Sequence, residues 1–193
     1  MKRLYFKYGV MGSSKSAQAL MTAFNYTQKG YKVLLIKPNI DTREAEDVIS
    51  SRIGLKAPCK TFDISTNLIK FVSQFKGTQV VIVDEVQFCT KAQIDQLKEL
   101  TLNDMIVLCY GLKTNFKSEL FEGSKRLLEI AESIQEIKAV CRCGAKATIN
   151  ARVVDGLVVT TGKSIQIGGD EKYEAMCYAC WKKYQKEKLT KQC

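Results

Sequence analysis

Histidine is absent from all 193 residues. Any general base must therefore be a carboxylate, a lysine or a thiolate, and any zinc site must rest on cysteine or carboxylate. No apolar run reaches membrane-spanning length, and Met1-Lys-Arg opens a strand pattern that turns polar within a few residues. The sequence thus predicts no anchor, no secretory signal and a cytoplasmic location. Internal repeats and low-complexity tracts are missing too, apart from a lysine-rich tail, Lys182 to Lys191, expected to start helical and then fray. The net charge of +10 is scattered along the chain without interleaved aromatics, which speaks against a nucleic-acid partner. An anionic small substrate accounts for part of that charge. What the chain does have is 46% hydrophobic residues, enough to exclude wholesale disorder and to build one main domain with a small satellite.

Arg3 to Tyr8 reads as a buried strand running into Gly9-Val10-Met11-Gly12-Ser13-Ser14-Lys15-Ser16. That segment fits the phosphate-loop pattern GxxxxGK[ST] with one departure, Ser14 at the second glycine. Such a loop aims consecutive backbone N–H groups at phosphates, and the following helix adds its positive end. Small residues let the chain wrap closely, although Ser14 resists the positive φ that glycine takes freely. In this reading Lys15 reaches the β/γ-phosphates and Ser16 holds Mg²⁺. A Gly/Ser turn before an ordinary helix explains the segment equally well on its own.

A second motif favours the phosphate reading. Gln79 to Val83 is a continuous apolar, β-branched run, as expected of a strand buried on both faces, and it ends in Asp84-Glu85. Carboxylates at the carboxyl end of a central strand are costly to bury without a partner, and a phosphate-bound metal is such a partner. A charged turn after a strand is the plainer alternative. Strand and helix alternate around these motifs: a helix from Lys15 to Lys29 stopping at Gly30, a strand from Tyr31 to Lys37, helices from Leu68 to Phe75 and Lys91 to Leu102, and a strand from Met105 to Gly111. The fold class predicted is α/β, a P-loop NTPase parallel sheet with flanking helices, joined to a small zinc-ribbon-like lobe carrying a lid loop. The expected division is residues 1–138 and 139–193.

The cysteines define the second unit. Cys59, Cys89, Cys109 and Cys193 are isolated and read as structural. Cys141-Arg-Cys143 and Cys177-Tyr-Ala-Cys180 form two close pairs, the pattern of a four-thiolate zinc site closed to water and therefore structural. A redox role for Cys177 and Cys180 is the alternative, but it leaves the first pair unexplained.

Together the phosphate loop, Asp84-Glu85-Val86-Gln87-Phe88, Tyr110-Gly-Leu112 and the cysteine lobe containing Ile167-Gly-Gly-Asp-Glu-Lys-Tyr173 resemble the cytosolic type II thymidine kinase family over nearly the whole chain. The most specific parts are D-E-x-Q-F at Asp84 to Phe88 and I-G-G-x-x-x-Y ending four residues before Cys177. The resemblance implies transfer of the γ-phosphate of ATP to the 5′-hydroxyl of thymidine, and of deoxyuridine as well. It makes Glu85 the general base and Asp84 a Mg²⁺ ligand with Ser16. Gly9 to Ser16 with Asp84, Glu85, Val86 and Gln87 then form the ATP side. Arg43, in Asp41-Thr-Arg43, would steady the transferring phosphoryl charge; a solvated loop arginine is an equal alternative. The nucleoside pocket implied is Met11, Phe88, Leu112, Phe116 and Phe121, closed by Ser164, Ile165, Gln166, Ile167, Gly168 and Tyr173. Without the resemblance, the apolar members of that set read as plain core. The family also implies a homotetramer, feedback inhibition by thymidine triphosphate, and no nucleic-acid or membrane partner.

Two rival readings stay open from the residues themselves. One is a zinc-ribbon P-loop ATPase acting on nucleic acid, against which the lobe carries Asp155, Asp170, Glu171 and Glu174. The other is a P-loop kinase for a different small metabolite.

Overall fold

The computed structural model describes residues 3–39, 47–162 and 172–188. The first body runs β1 (Leu4–Tyr8), α1 (Lys15–Gln28), β2 (Val33–Pro38), β3 (Val48–Ser50), β4 (Lys56–Pro58), β5 (Lys60–Phe62), α2 (Leu68–Ser73), β6 (Val80–Val83), α3 (Lys91–Leu100), β7 (Ile106–Gly111), α4 (Glu122–Ile130) and β8 (Ser133–Glu136). Six of these strands form one sheet in the order β5-β2-β6-β7-β1-β8, and every pairing in it is parallel. The predicted α/β class is therefore what the chain adopts.

The central strand β6, Val80 to Val83, is fully buried along its length. Its alternate residues feed two cores, Val81 and Val83 with Leu97 and Leu127 on one face, Val80 and Ile82 with Ala19 and Tyr110 on the other. A strand covered on both faces must be apolar at every position, which is why the unbroken run at Gln79 to Val83 was diagnostic. Truncating Leu97 to alanine in such a core costs about 2–5 kcal/mol.

Three boundaries differ by two residues from the sequence reading. Tyr31 does not open β2. Its N–H bonds back to the Tyr26 carbonyl at 3.1 Å and its ring meets Tyr26 edge-on at 5.4 Å, so it closes α1 through Gly30, which sits at φ +81. Helix α2 stops at Ser73, with Gln74 capping it. Helix α3 gives way at Thr101 to a single 3₁₀ turn ending at Asn103, a common tightening of a last turn. Its start is secured by a capping box between Thr90 and Gln93.

The second body comprises β9 (Ala139–Val140), β10 (Lys146–Ala147), β11 (Ile149–Val154), β12 (Leu157–Val159), β13 (Lys172–Met176) and α5 (Tyr178–Lys183). An antiparallel sheet β12-β11-β13 and the ribbon β10-β9 enclose a small core of Ala147, Ile149, Ala151, Val158, Met176 and Trp181. Val10 of the phosphate loop also enters this core, so the lobe packs directly on the loop. Among the described residues no helix is long and apolar enough to cross a membrane.

Candidate active site

Strand order brings the predicted motifs together. β6, β7 and β1 are neighbours, and in a parallel sheet their carboxyl ends share one edge, where Asp84, Gly111 and Gly9 stand. The Gly9 N–H reaches the Gly111 carbonyl at 3.3 Å. Glycine is required at both places. A Cβ on Gly9 would lie 2.3 Å from Ser13 Oγ and 2.5 Å from the Ile137 carbonyl, and one on Gly111 would lie 2.5 Å from Gln87 Oε1.

The loop from Gly9 to Ser16 turns through two left-handed residues, Gly12 at φ 73 and Ser14 at φ 63. Ser14, at the pattern's second glycine, thus adopts the conformation glycine would supply, at a cost of about 1 kcal/mol. Buried Lys15 bends back to donate from Nζ to the Val10 carbonyl at 2.9 Å. The buried Ser13 hydroxyl has no partner among the described residues. An orphaned buried donor inside a loop of this shape is what an incoming phosphate oxygen would satisfy.

Across the edge, Asp84 is buried and bonds to the Ser16 hydroxyl, while its Oδ1 accepts the Glu85 N–H at 3.0 Å. Burial first, and the charge of Glu85 second, push the Asp84 carboxyl up to about 7, against the pull of the Ser16 and Glu85 hydrogen bonds and of Lys15. A buried carboxyl paired with a hydroxyl at a phosphate loop is a donor set suited to a hard cation, which would draw off that proton. Glu85 occupies a left-handed backbone at φ 52, the second strained residue of the site. Its carboxylate accepts from Gln87 Nε2. Gln87 is itself fixed, its Oε1 accepting the Leu112 N–H at 2.9 Å. Val86 is fully buried in the main core, so its side chain anchors the segment.

The expected nucleoside residues fall into two groups. Phe88 meets Phe121 edge-on at 6.0 Å, and buried Leu112 and Phe116 follow on the chain after β7, with Arg152 over the Phe116 ring at 5.1 Å. Met11 and Tyr173, with Gly12, Ser13 and Ser14, line a cavity of about 390 Å³ between the phosphate loop and the lobe, whose wall also includes Arg52, Lys138 and Arg142. Arg43 and the expected lid, Ser164 to Gly168, lie outside the described residues, as does Cys193.

Sequence reasoning missed Asn150. It is 3% exposed, and its amide joins Met11 of the phosphate loop to Thr114 of the loop after β7. The available signal was polar Asn150 and Arg152 alternating with Ile149 and Ala151 in a buried strand, which places two polar side chains on one covered face.

The sulfur atoms of Cys141, Cys143, Cys177 and Cys180 lie within 4.8 Å of one another. Cys143 and Cys177 are 3.6 Å apart, close to the roughly 3.8 Å edge of a tetrahedron with metal–sulfur bonds of about 2.3 Å. Gly144, at φ 86, turns the first pair, and the Cys180 N–H points at Cys177 Sγ from 3.4 Å in the second. Donor type, number and spacing all fit zinc. Cys59, Cys89 and Cys109 are buried elsewhere, as expected of structural thiols.

The thymidine kinase family model matches residues 2–181. The chain belongs to the thymidine kinase family. Among named relatives, the thymidine kinase of Novosphingobium aromaticivorans is 44% identical over 182 residues, covering 92% of this chain and 95% of that protein. The thymidine kinase of Rhodopirellula baltica is 40% identical over 182 residues, covering 92% and 86% respectively. Among solved structures, the flagellar accessory protein FlaH of Methanocaldococcus jannaschii matches at 13% identity with a TM-score of 0.44 over 69% of this chain and 70% of that one. As a thymidine kinase, the protein is an enzyme that phosphorylates thymidine with ATP. Nothing in the fold or the comparisons favours the nucleic-acid ATPase reading.

Proposed function

We propose the following division of labour for that reaction. The loop Gly9 to Ser16 holds the ATP phosphates through its N–H groups, with Lys15 leaving Val10 to reach the β/γ-phosphates. Glu85 accepts the proton of the thymidine 5′-hydroxyl as the new O–Pγ bond forms and the bond from Pγ to the ADP oxygen breaks. Ser16 and Asp84 would hold Mg²⁺, which when bound would supply positive charge to the phosphate oxygens. A loose phosphoryl transfer needs little activation of a primary hydroxyl, so a carboxylate that aims the hydroxyl and takes its proton late is sufficient. The observation that carries this reading is the pair Asp84 and Glu85 at the end of β6: one carboxyl bonds to the loop's Ser16 and the next is held by Gln87.

Arg43 steadies the transferring charge. Met11, Phe88, Leu112, Phe116, Phe121 and Tyr173 form walls for a flat pyrimidine and its methyl group, with Ser164 to Gly168 closing over it. Deoxyuridine is accepted as well, since one methyl is worth only about 1–3 kcal/mol. The lobe, residues 139–193, is held by zinc on its four cysteines and excludes water from the kinase unit, residues 1–138. Thymidine triphosphate, which carries a nucleoside for one half of the site and a triphosphate for the loop, inhibits. The enzyme works in the cytoplasm as a homotetramer. Met21 and Phe24, exposed together on α1, support an interface between copies.

The test is transfer of labelled phosphate from ATP·Mg²⁺ to thymidine, with deoxyuridine and single-stranded DNA in parallel reactions. Labelled thymidine monophosphate, unaffected by DNA, is the result expected. Hydrolysis without transfer, stimulated by DNA, would overturn the reading.

A further inference from the structure

Asn150 sits in β11 of the lobe, yet both ends of its amide are spent outside the lobe. Its Oδ1 accepts the Met11 N–H at 2.7 Å, and its Nδ2 donates to the Thr114 carbonyl at 2.8 Å. One side chain thus clamps the phosphate loop to the loop that leads into Phe116. Strand β11 is also paired to β13, with Asn150 opposite Ala175 and Arg152 opposite Tyr173. Cys177 follows β13 directly. The clamp is therefore continuous with the cysteine cluster through two strands.

The chemistry of the residue suits this place. A primary amide offers an acceptor and a donor in different directions from one rigid plane, and at 3% exposure the Asn150 amide has little access to water and depends on these two partners. Being neutral, it adds no charge beside the phosphates, where a carboxylate would repel them. Met11 is a loop residue whose N–H is held by Asn150, so the opening of the loop depends on where Asn150 stands. Where Asn150 stands depends in turn on Thr114, on the nucleoside side.

We infer that Asn150 is a positioning residue that couples the two substrates, so that ordering the nucleoside side by thymidine also orders the phosphate loop for ATP, and the reverse. Linkage requires the effect to be equal in both directions. The inference rests on the assignment of Gly9 to Ser16 to ATP and of the loop after β7 to thymidine.

The experiment compares thymidine affinity of the zinc-loaded full chain with and without a non-hydrolysable ATP analogue and Mg²⁺, in wild type, Asn150→Ala and Asn150→Asp. In wild type the analogue tightens thymidine binding roughly fivefold or more. In Asn150→Ala the KM values for ATP and thymidine both rise about tenfold, and the tightening by the analogue disappears. Asn150→Asp keeps the shape and the acceptor for Met11 but loses the donor to Thr114, so it loses the tightening too, and it serves where the alanine variant fails to fold. A merely structural role would lower the melting temperature while leaving the coupling of the folded fraction intact. Wild-type coupling in either folded variant, or no coupling in wild type, overturns the inference. Failure of wild type to phosphorylate thymidine would instead strike the site assignment beneath it.

Discussion

The side-chain amide of Gln87 donates to the Glu85 carboxylate, while its own carbonyl is held by the Leu112 N–H at 2.9 Å. The candidate base is thus oriented by a neighbour that Leu112, just after β7, fixes in turn. Replacing Gln87 with leucine keeps the bulk and removes both bonds. The turnover number should fall roughly ten- to a hundredfold, with a smaller change in the KM for thymidine. A change confined to KM, in steady-state kinetics, would mean that Gln87 shapes the pocket and does not orient the base.

Ser14 holds a left-handed backbone without the freedom of glycine. Ser14→Gly should relieve about 1 kcal/mol and raise the melting temperature by about 2–4 °C. ATP affinity should be unchanged or better, since the loop keeps its N–H groups. A lower melting temperature, by calorimetry, would show that the serine hydroxyl contributes more than its backbone costs.

Asp84 supplies a pH signature. Its carboxyl is raised in the folded protein, so the folded state binds this proton more tightly than the unfolded chain. That contribution to stability is complete below about pH 4 and is lost as pH rises toward about 7. No histidine titrates in the same window. The melting temperature of zinc-loaded, nucleotide-free protein should therefore fall between about pH 5 and about pH 7.5, and Asp84→Asn should flatten the fall. The same slope in both proteins would assign it to other groups.

The lobe contains the chain's one tryptophan. Trp181 is buried with Cys141, Cys180 and Met176, so its fluorescence reports on the lobe alone. Removing zinc with a chelator should shift its emission to the red and abolish thymidine binding, while far-UV circular dichroism of the main sheet persists. Because Asn150 joins the lobe to Met11, ATP binding should weaken as well. An unchanged emission with the metal gone would mean that the four thiolates do not hold the lobe together.

The motifs were readable because they are local. A strand buried on both faces has no polar residue to spare, which made Val80 to Val83 and the acids after it stand out. Small residues before a Lys-Ser pair likewise marked the loop. What escaped was set by tertiary contact. Edge strand β8, Ser133–Glu136, is half exposed and polar, so it carries no strand pattern and exists by pairing with β1. Tyr31 looked like the start of a strand until its ring found Tyr26. Asn150 is an unremarkable residue in sequence, and its meaning comes only from two partners 139 and 36 residues away. The strain at Ser14 and Glu85 follows the same logic: the fold imposes a left-handed conformation that neither residue prefers.

Glu85 is the residue proposed to take the proton from thymidine. The most direct test of that role is phosphate transfer by Glu85→Gln beside wild type, with thymidine affinity measured on the same samples. Glutamine keeps the size of the side chain but cannot accept the proton, so the rate of thymidine monophosphate formation should fall by about 10²–10⁴, with thymidine and ATP still bound. A variant that turns over near the wild-type rate would place the base elsewhere.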